Sequence, residues 1–494
     1  MRRRVLLLSG LALGGAVAAW GCNAVLGLGD YQVRTDGGPN PTNCTVDLTK
    51  QCFPCAPGTD PEFLNSCTGA ACVSFDPKRV TLLSPDGSLP AYPKYVPPDA
   101  GPVVDAATDA PPPVDAGTDA PPPATCANVK TGTPVVYVTG TAKPYVQALA
   151  TALFNDVSPI VLVYKGQSSC VAWDAALNGT VLSGPASYWP GTTTETTCNI
   201  QAGGVVADVS ISDIFASSCT ALPNGLPKGV GDFFGPAQAM VFIVPKLSAE
   251  RSISAQAAYF VYGFGAQSGV TPWTDPNYIF RLDDTSGTQR IIGAGIGVPA
   301  AEWKGTNLNF SGKLTATLPA VPTAAAPSTI GILSEVNITD ALRQQIHVLA
   351  YRHYGQTCAV YPDSTETNRD KSNVRDGHYT LWGPLHLSAH LDANGFVSTP
   401  NAKRVVNYFT GITPPPSGLD LIETEALNNL VPQCAMKVTR STEMGPLSPF
   451  AAQNACGCYF EQKATGQTAC TKCTTSAGCP ASAPACSFGY CEAQ

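Results

Sequence analysis

Val135-Val-Tyr-Val-Thr-Gly-Thr-Ala-Lys-Pro-Tyr-Val146 is the stretch whose reading decides the fold. Its opening run of apolar, mostly β-branched residues predicts a buried strand over 135–138. Thr139-Gly-Thr-Ala-Lys then leads to Pro144, whose fixed φ and missing N–H suit the first turn of a helix. The helix expected over 144–155 sets Val146, Leu149, Ala150 and Leu153 along one face. Outward from it follow a strand over 159–164, the turn Lys165-Gly-Gln-Ser-Ser169, and a short helix through Trp173 to Leu177. A further strand, 204–211, ends at Ser212-Asp213. This βαβαβ order predicts an α/β fold with a mostly parallel sheet covered by helices. Ligands of such sheets bind beyond the carboxyl ends of the strands, where Thr139–Thr141, Ser168–Ser169 and Ser212–Asp213 all fall.

Later segments continue the alternation. A strand is expected over Ala239–Pro245, a helix over 249–261, a long helix over Ile338–His353, and a short strand over Cys358–Tyr361. Gly383–His390 alternates as a strand, and 401–410 reads as a closing helix. Between them lies Tyr278-Ile-Phe-Arg-Leu-Asp-Asp-Thr-Ser-Gly-Thr-Gln289. Here an apolar run ends in Arg281, and Ser286-Gly287-Thr288 opens a helical segment. Unpaired N–H groups, the positive end of the helix dipole and a guanidinium fork together can hold an anion. Ser and Gly at a helix start also serve as simple caps, so this stretch alone does not decide between the two uses.

Only 13% of the 494 residues are charged, the net charge is −7, and there are 46 glycines and 44 prolines. Such a composition suits an exported, turn-rich protein of two or more folding units and argues against a nucleic-acid partner. The basic start Met1-Arg-Arg-Arg and the apolar run to Trp20 predict a signal peptide over 1–21. Ala19-Trp-Gly-Cys22 resembles a lipoprotein cleavage site, which implies acylation of Cys22 and a membrane-held, lipid-anchored cell-envelope protein. Setting Cys22 aside leaves 18 of the 19 cysteines, an even number that suits disulfides in an oxidising compartment.

A small cysteine-rich region is expected over 22–95, with too little apolar content to hold itself except by disulfides. Its five cysteines beyond Cys22 are Cys44, Cys52, Cys55, Cys67 and Cys72; being odd in number, they need an outside partner, and Cys126 is one candidate. Cys52-Phe-Pro-Cys55 reads as disulfide-forming rather than metal-binding in this setting. Residues 96–125 contain a repeated Val-Asp-Ala-x-Thr-Asp-Ala-Pro-Pro-Pro decapeptide. Proline triplets and unbalanced Asp residues make it an extended spacer reaching at most about 80 Å. Residues 435–494 form a second disulfide-rich region, in which zinc at Cys456, Cys458, Cys470 and Cys473 is the minor alternative.

Taken in order, these residues resemble the periplasmic phosphate-binding proteins of bacterial ABC importers. Gly140-Thr141 before Pro144, Gly166-Gln-Ser-Ser169, Ala207-Asp-Val-Ser-Ile-Ser-Asp213 and Arg281 with Ser286-Gly-Thr288 are similar to that family's four anion-contacting loops. Gly235–Val244 and Tyr379–His386 are similar to its two crossings between lobes. The resemblance implies a two-lobed type II periplasmic-binding-protein fold over 126–434, with lobe 1 about 133–238 and 388–434 and lobe 2 about 246–378. It also implies non-catalytic capture of phosphate or a similar protonated oxyanion, without cofactor or metal. Thr141, Ser168, Ser169, Ser286 and Thr288 would donate hydroxyl bonds, Gly287 a backbone N–H, and Arg281 a charge-assisted pair. Asp213 can only accept, so it selects an anion that still carries a proton and penalises sulfate. An ABC permease or another envelope protein is the implied partner. In this chain Arg281 precedes Ser286 by five residues rather than the family's four, and Asp283 and Asp284 adjoin the loop.

Two other readings compete. The sequence lacks Gly-x-Ser-x-Gly, His-Glu-x-x-His and a Gly-Lys-Ser/Thr phosphate loop, and offers no evident nucleophile–base pair. His386 and His390 share a strand face, for which a structural role outweighs a metal site. A scaffold that lacks oxyanion affinity and contacts envelope proteins through its cysteine-rich ends would account for the spacer and the two ends.

Overall fold

The computed structural model describes residues 46–48, 51–84, 86–94, 124–415 and 418–493. Cys22, the signal peptide, Cys44 and nearly all of the spacer lie outside the described residues.

A mixed sheet of ten strands runs through the molecule. β1 (Val135–Gly140), β2 (Val161–Gly166), β3 (Pro185–Tyr188), β4 (Thr196–Asn199), β5 (Val209–Ser212), β6 (Val230–Pro245), β7 (Gly331–Ser334) and β8 (Trp382–His390) stand in the order β7-β6-β8-β5-β1-β2-β3-β4. β1 is parallel to β2 and to β5, as the βαβαβ pattern predicts. β8 is antiparallel to both β5 and β6. The sheet is thus more antiparallel than the sequence pattern implies, because the chain leaves along β6 and returns along β8. Those two long strands pair with each other over most of their length.

α2 (Lys143–Phe154) and α3 (Ser169–Asn178) follow β1 and β2 as expected. Tyr145, Val146, Leu149, Ala150 and Leu153 of α2 pack with Val138, Leu162, Ile211 and Leu387 in one core. A second core forms around β6 and β7 with α4 (Ala255–Phe264) and α5 (Gly287–Ile296). α6 (Pro400–Phe409), the closing helix expected over 401–410, buries Ala402, Val405, Val406 and Phe409 against the first core.

Three expectations of secondary structure are revised. The long helix over Ile338–His353 is absent; a four-residue turn, Asp340–Arg343, gives way to strands Ile346–Val348 and Ala350–Arg352. Ile338, Leu342, Ile346 and Leu349 do repeat at helical spacing, but every residue from Ile346 to Tyr351 is buried. A run buried on all sides satisfies its backbone by pairing, here Ile346 with Pro245 and Val348 with Ile243 on the edge of β6. The helix expected from residue 249 begins at Ala255, where the Ser254 hydroxyl accepts from the Ala257 N–H (3.1 Å). The strand expected over 204–211 is confined to Val209–Ser212.

The leading cysteine-rich segment is not held by disulfides alone. Phe63, from α1 (Asp60–Asn65), and Phe75 and Val80 enter the second core. Asn65 Nδ2 donates to Gly355 O (3.1 Å), and Cys72 is bonded to Cys358. Sparse apolar residues suffice because they borrow a core built by the rest of the chain. Cys126 pairs with Cys198, not with the leading region, while Cys52 pairs with Cys67 and Cys55 is also disulfide-bonded. In the tail, Cys434–Cys456, Cys458–Cys470 and Cys473–Cys486 bonds commit all four sulfurs of the zinc alternative. α7 (Gly457–Thr465) sets Phe460 into the second core.

His378 staples the leading segment to the body. Its Nδ1 lies 2.6 Å from Asp376 Oδ1 and its Nε2 2.8 Å from the Ser66 carbonyl. Burial opposes the charged ring, but Asp376 and the Ser66 carbonyl outweigh it and raise the pKa. A raised folded-state pKa stabilises the fold fully below the unfolded value of about 6.5 and loses that contribution as pH rises through the folded value. Urea midpoints of wild type should therefore fall across this window on raising the pH, and His378→Asn should flatten that fall. An unchanged pH profile in the variant would contradict the staple.

Candidate functional site

Asp213 is the centre on which the predicted loops converge. It follows the last residue of β5, is 4% exposed, and accepts from side chains of three other elements. Thr141 Oγ1, beyond β1, donates to Asp213 Oδ1 at 2.7 Å. Ser169 Oγ, at the start of α3, lies 3.1 Å from Oδ2 and also accepts from the Asp213 N–H at 3.1 Å. Gln238 Nε2, on β6, donates to Oδ1 as well. Burial raises the Asp213 pKa, and the bonds from Thr141, Gln238 and Ser169 counter that rise.

Glycines permit this convergence. Gly140 has φ +121°, and a Cβ there would sit 1.9 Å from the Ile211 carbonyl oxygen. That freedom lets the chain turn from β1 into Thr141 against the end of β5. At Gly287 a Cβ would meet Ser169 Oγ at 2.4 Å and Asp213 Cβ at 2.7 Å. The N-terminus of α5 therefore abuts the carboxylate, bringing the positive end of a ten-residue helix toward it.

Other predicted residues take distinct places. Ser168 caps α3 and its Oγ lies 2.7 Å from Thr285 Oγ1, while Cys170 N–H donates to Thr285 O at 3.1 Å. Ser286 is the N-cap of α5 without a side-chain capping bond, and Thr288 is buried in the first turn. Arg281 Nη1 donates to the Leu282 carbonyl (3.3 Å); burial opposes ionisation of Asp283, but the hydrogen bonds from Thr285, with a smaller pull from Arg281, lower its pKa. Asp283 itself is used locally: its Oδ1 accepts from the Thr285 N–H at 2.9 Å. Asp213, Thr141, Ser169 and Gly287 are thus gathered at one point, Ser168 joins through Thr285, and Arg281 contacts its own turn. His386 is fully buried and held by Asp232 Oδ2 at 2.8 Å.

Three residues escaped the sequence reading. Gln238 carried a signal, being a lone polar residue inside the apolar run of β6. Thr285 adjoined the quoted loop. Glu443 had none: it reaches back from the tail, where its Oε2 accepts from Phe215 N–H (3.2 Å) and Ser218 Oγ (3.3 Å), just beyond Asp213.

The Gly287 contact is directly testable. Gly287→Ala should displace α5 from Asp213 and cost about 1–3 kcal/mol, read by urea denaturation. A variant as stable as wild type would show that the close approach is not a constraint.

No family model matches the chain, and no curated protein matches it. Among solved structures it is similar to a putative phosphate ABC transporter substrate-binding protein with bound phosphate from Clostridium perfringens, at 13% identity and a TM-score of 0.41, covering 60% of this chain and 99% of that one. A DING protein is similar at 12% identity and a TM-score of 0.39, covering 60% and 90%. PstS from Borrelia burgdorferi is similar at 14% identity and a TM-score of 0.33, covering 60% and 98%.

Proposed function

We propose that this chain binds phosphate or a similar protonated oxyanion, without converting it, where Asp213 meets the N-terminus of α5. The observation that carries this reading is the convergence of Thr141, Ser169 and Gln238 on a buried carboxylate backed by Gly287. A ligand hydroxyl would donate to Asp213, freeing the Thr141 and Ser169 hydroxyls to turn to the ligand oxygens. Ser168, Ser286 and Thr288 hydroxyls, the Gly287 N–H and Arg281 would complete the shell once the lobes part at β6 and β8. A fully ionised sulfate would face Asp213 charge to charge, which is the basis for refusing it.

Export fits the disulfides, and among the described residues no helix is long and apolar enough to cross a membrane. On this reading Cys22 carries the lipid, the spacer holds the binding domain off the envelope, and an ABC permease or envelope protein receives the ligand. The proposed domain limits remain 126–434 for the binding domain, with disulfide-rich segments docked on it.

An enzymatic reading meets one constellation that invites it. Ser66 Oγ lies 3.1 Å from His378 Nε2, and Asp376 holds the other ring nitrogen. However, Nε2 is closer to the Ser66 carbonyl, at 2.8 Å, so it carries a proton that it donates there and cannot take one from the Ser66 hydroxyl. The set reads as the staple already described. The scaffold reading has its own support, since Asp213 is already satisfied by protein donors and Glu443 ties the tail beside it.

Calorimetry on the full chain separates the two. Phosphate and arsenate should release heat, with sulfate weaker by about a hundredfold or more, the scale of a buried like-charge penalty of about 3 kcal/mol. Asp213→Asn should erase that discrimination. Absence of heat with every oxyanion would overturn oxyanion binding and leave the scaffold reading standing.

A further inference from the structure

Away from the Asp213 site, Lys371, Asp363 and Glu335 form a buried reactive cluster. They are 1%, 3% and 0% exposed. Lys371 Nζ stands 2.8 Å from both Asp363 oxygens, placed symmetrically against the carboxyl group. Glu335 Oε2 is 3.3 Å from Nζ, and neither Glu335 oxygen makes a hydrogen bond among the described residues. Arg343 Nη2 approaches the other oxygen at 3.6 Å.

The segment is held so that these groups stay in register. Lys371 has φ +48° as the N-cap of the turn Ser372–Arg375, and its own N–H donates to Asp363 Oδ1 at 2.8 Å. Asn373 Nδ2 donates to the carbonyls of Tyr361 (2.9 Å) and Asp363 (2.8 Å). Asp370 closes the intervening loop by accepting from Ser364 N–H (2.8 Å) and Ser372 N–H (3.1 Å). Fixed geometry of this kind replaces the encounter step of an amine with a carboxyl, an advantage worth many powers of ten in effective concentration.

We propose that Lys371 and Asp363 condense into an intramolecular isopeptide bond, with Glu335 carrying the proton. Ammonium and carboxylate first exchange a proton, giving a neutral amine beside a neutral acid. Burial assists, since it pushes the Asp363 carboxyl up to about 6 against the opposing pull of Lys371. The amine lone pair then attacks Asp363 Cγ while the Lys371 N–H steadies the developing oxyanion. Glu335 takes the surplus proton from nitrogen and returns it to the departing hydroxyl. A C–N bond forms, a C–O bond breaks, one water leaves and Glu335 is regenerated. No oxidant, metal or second reactant is required. The product removes two buried charges and their desolvation cost, replacing them with a neutral amide.

Peptide mapping of the full chain after reduction, alkylation and trypsin decides the matter. Cleavage after Arg352, Arg369 and Arg375, with Lys371 blocked, should leave peptides 353–369 and 370–375 covalently joined. The joined species should be lighter than their sum by one water. Asp363→Ala should free peptide 353–369 and restore cleavage after Lys371, giving 370–371 and 372–375, and Glu335→Gln should lose the linkage. Free peptides from the wild-type chain would overturn the bond, leaving an ion-pair cluster. Full linkage in Glu335→Gln would overturn the role given to Glu335.

Discussion

The buried carboxylate of Asp213 is the constraint on which the site's architecture depends. Removed from water, it must be supplied with donors, and the segments after β1 and β2 and the middle of β6 provide them through Thr141, Ser169 and Gln238. That requirement explains why Gly140 turns so tightly over Ile211 and why Gly287 carries no side chain. β6 and β8 pass beside the same point: Gln238 lies on one, and Gly383 of the other would bring a Cβ within 3.2 Å of the Asp213 carbonyl. A change in the bonding of one carboxylate is therefore felt along both strands.

The parallel part of the fold was legible because its signals are local. The strand–turn–helix pattern from Val135 to Phe154 contains its own punctuation in Gly140 and Pro144, and the structure follows it closely. The meeting of Thr141, Ser169 and Asp213 follows from strand order, since β2, β1 and β5 are neighbours with parallel ends. Gly287 joins them from a later part of the chain, a placement legible only through the resemblance. Arg281 was likewise placed by the resemblance; its Nη1 donates to the Leu282 carbonyl.

What was not legible depends on distant parts of the chain. Nothing within Ile338–Arg352 distinguishes a helical stripe from a fully buried strand run; the open edge of β6 decides. The leading segment looked too polar to fold because the core it uses belongs to residues hundreds of positions later. Glu443 and the Cys72–Cys358 bond are of the same kind, fixed by where the ends dock rather than by their own sequence. The two cysteine-rich ends consequently brace the second core, and His378 and the Lys371–Asp363 pair lie in the region they brace.

The central claim, that a protonated oxyanion is held at Asp213, is tested most directly by anomalous X-ray diffraction from crystals of the full chain grown with arsenate. The account predicts an arsenic peak between Asp213 and the N-terminus of α5, within hydrogen-bond reach of Thr141, Ser169 and the Gly287 N–H. Arsenate-saturated crystals with no arsenic peak there, and the Asp213 carboxylate still bonded to Thr141, Ser169 and Gln238, would contradict it.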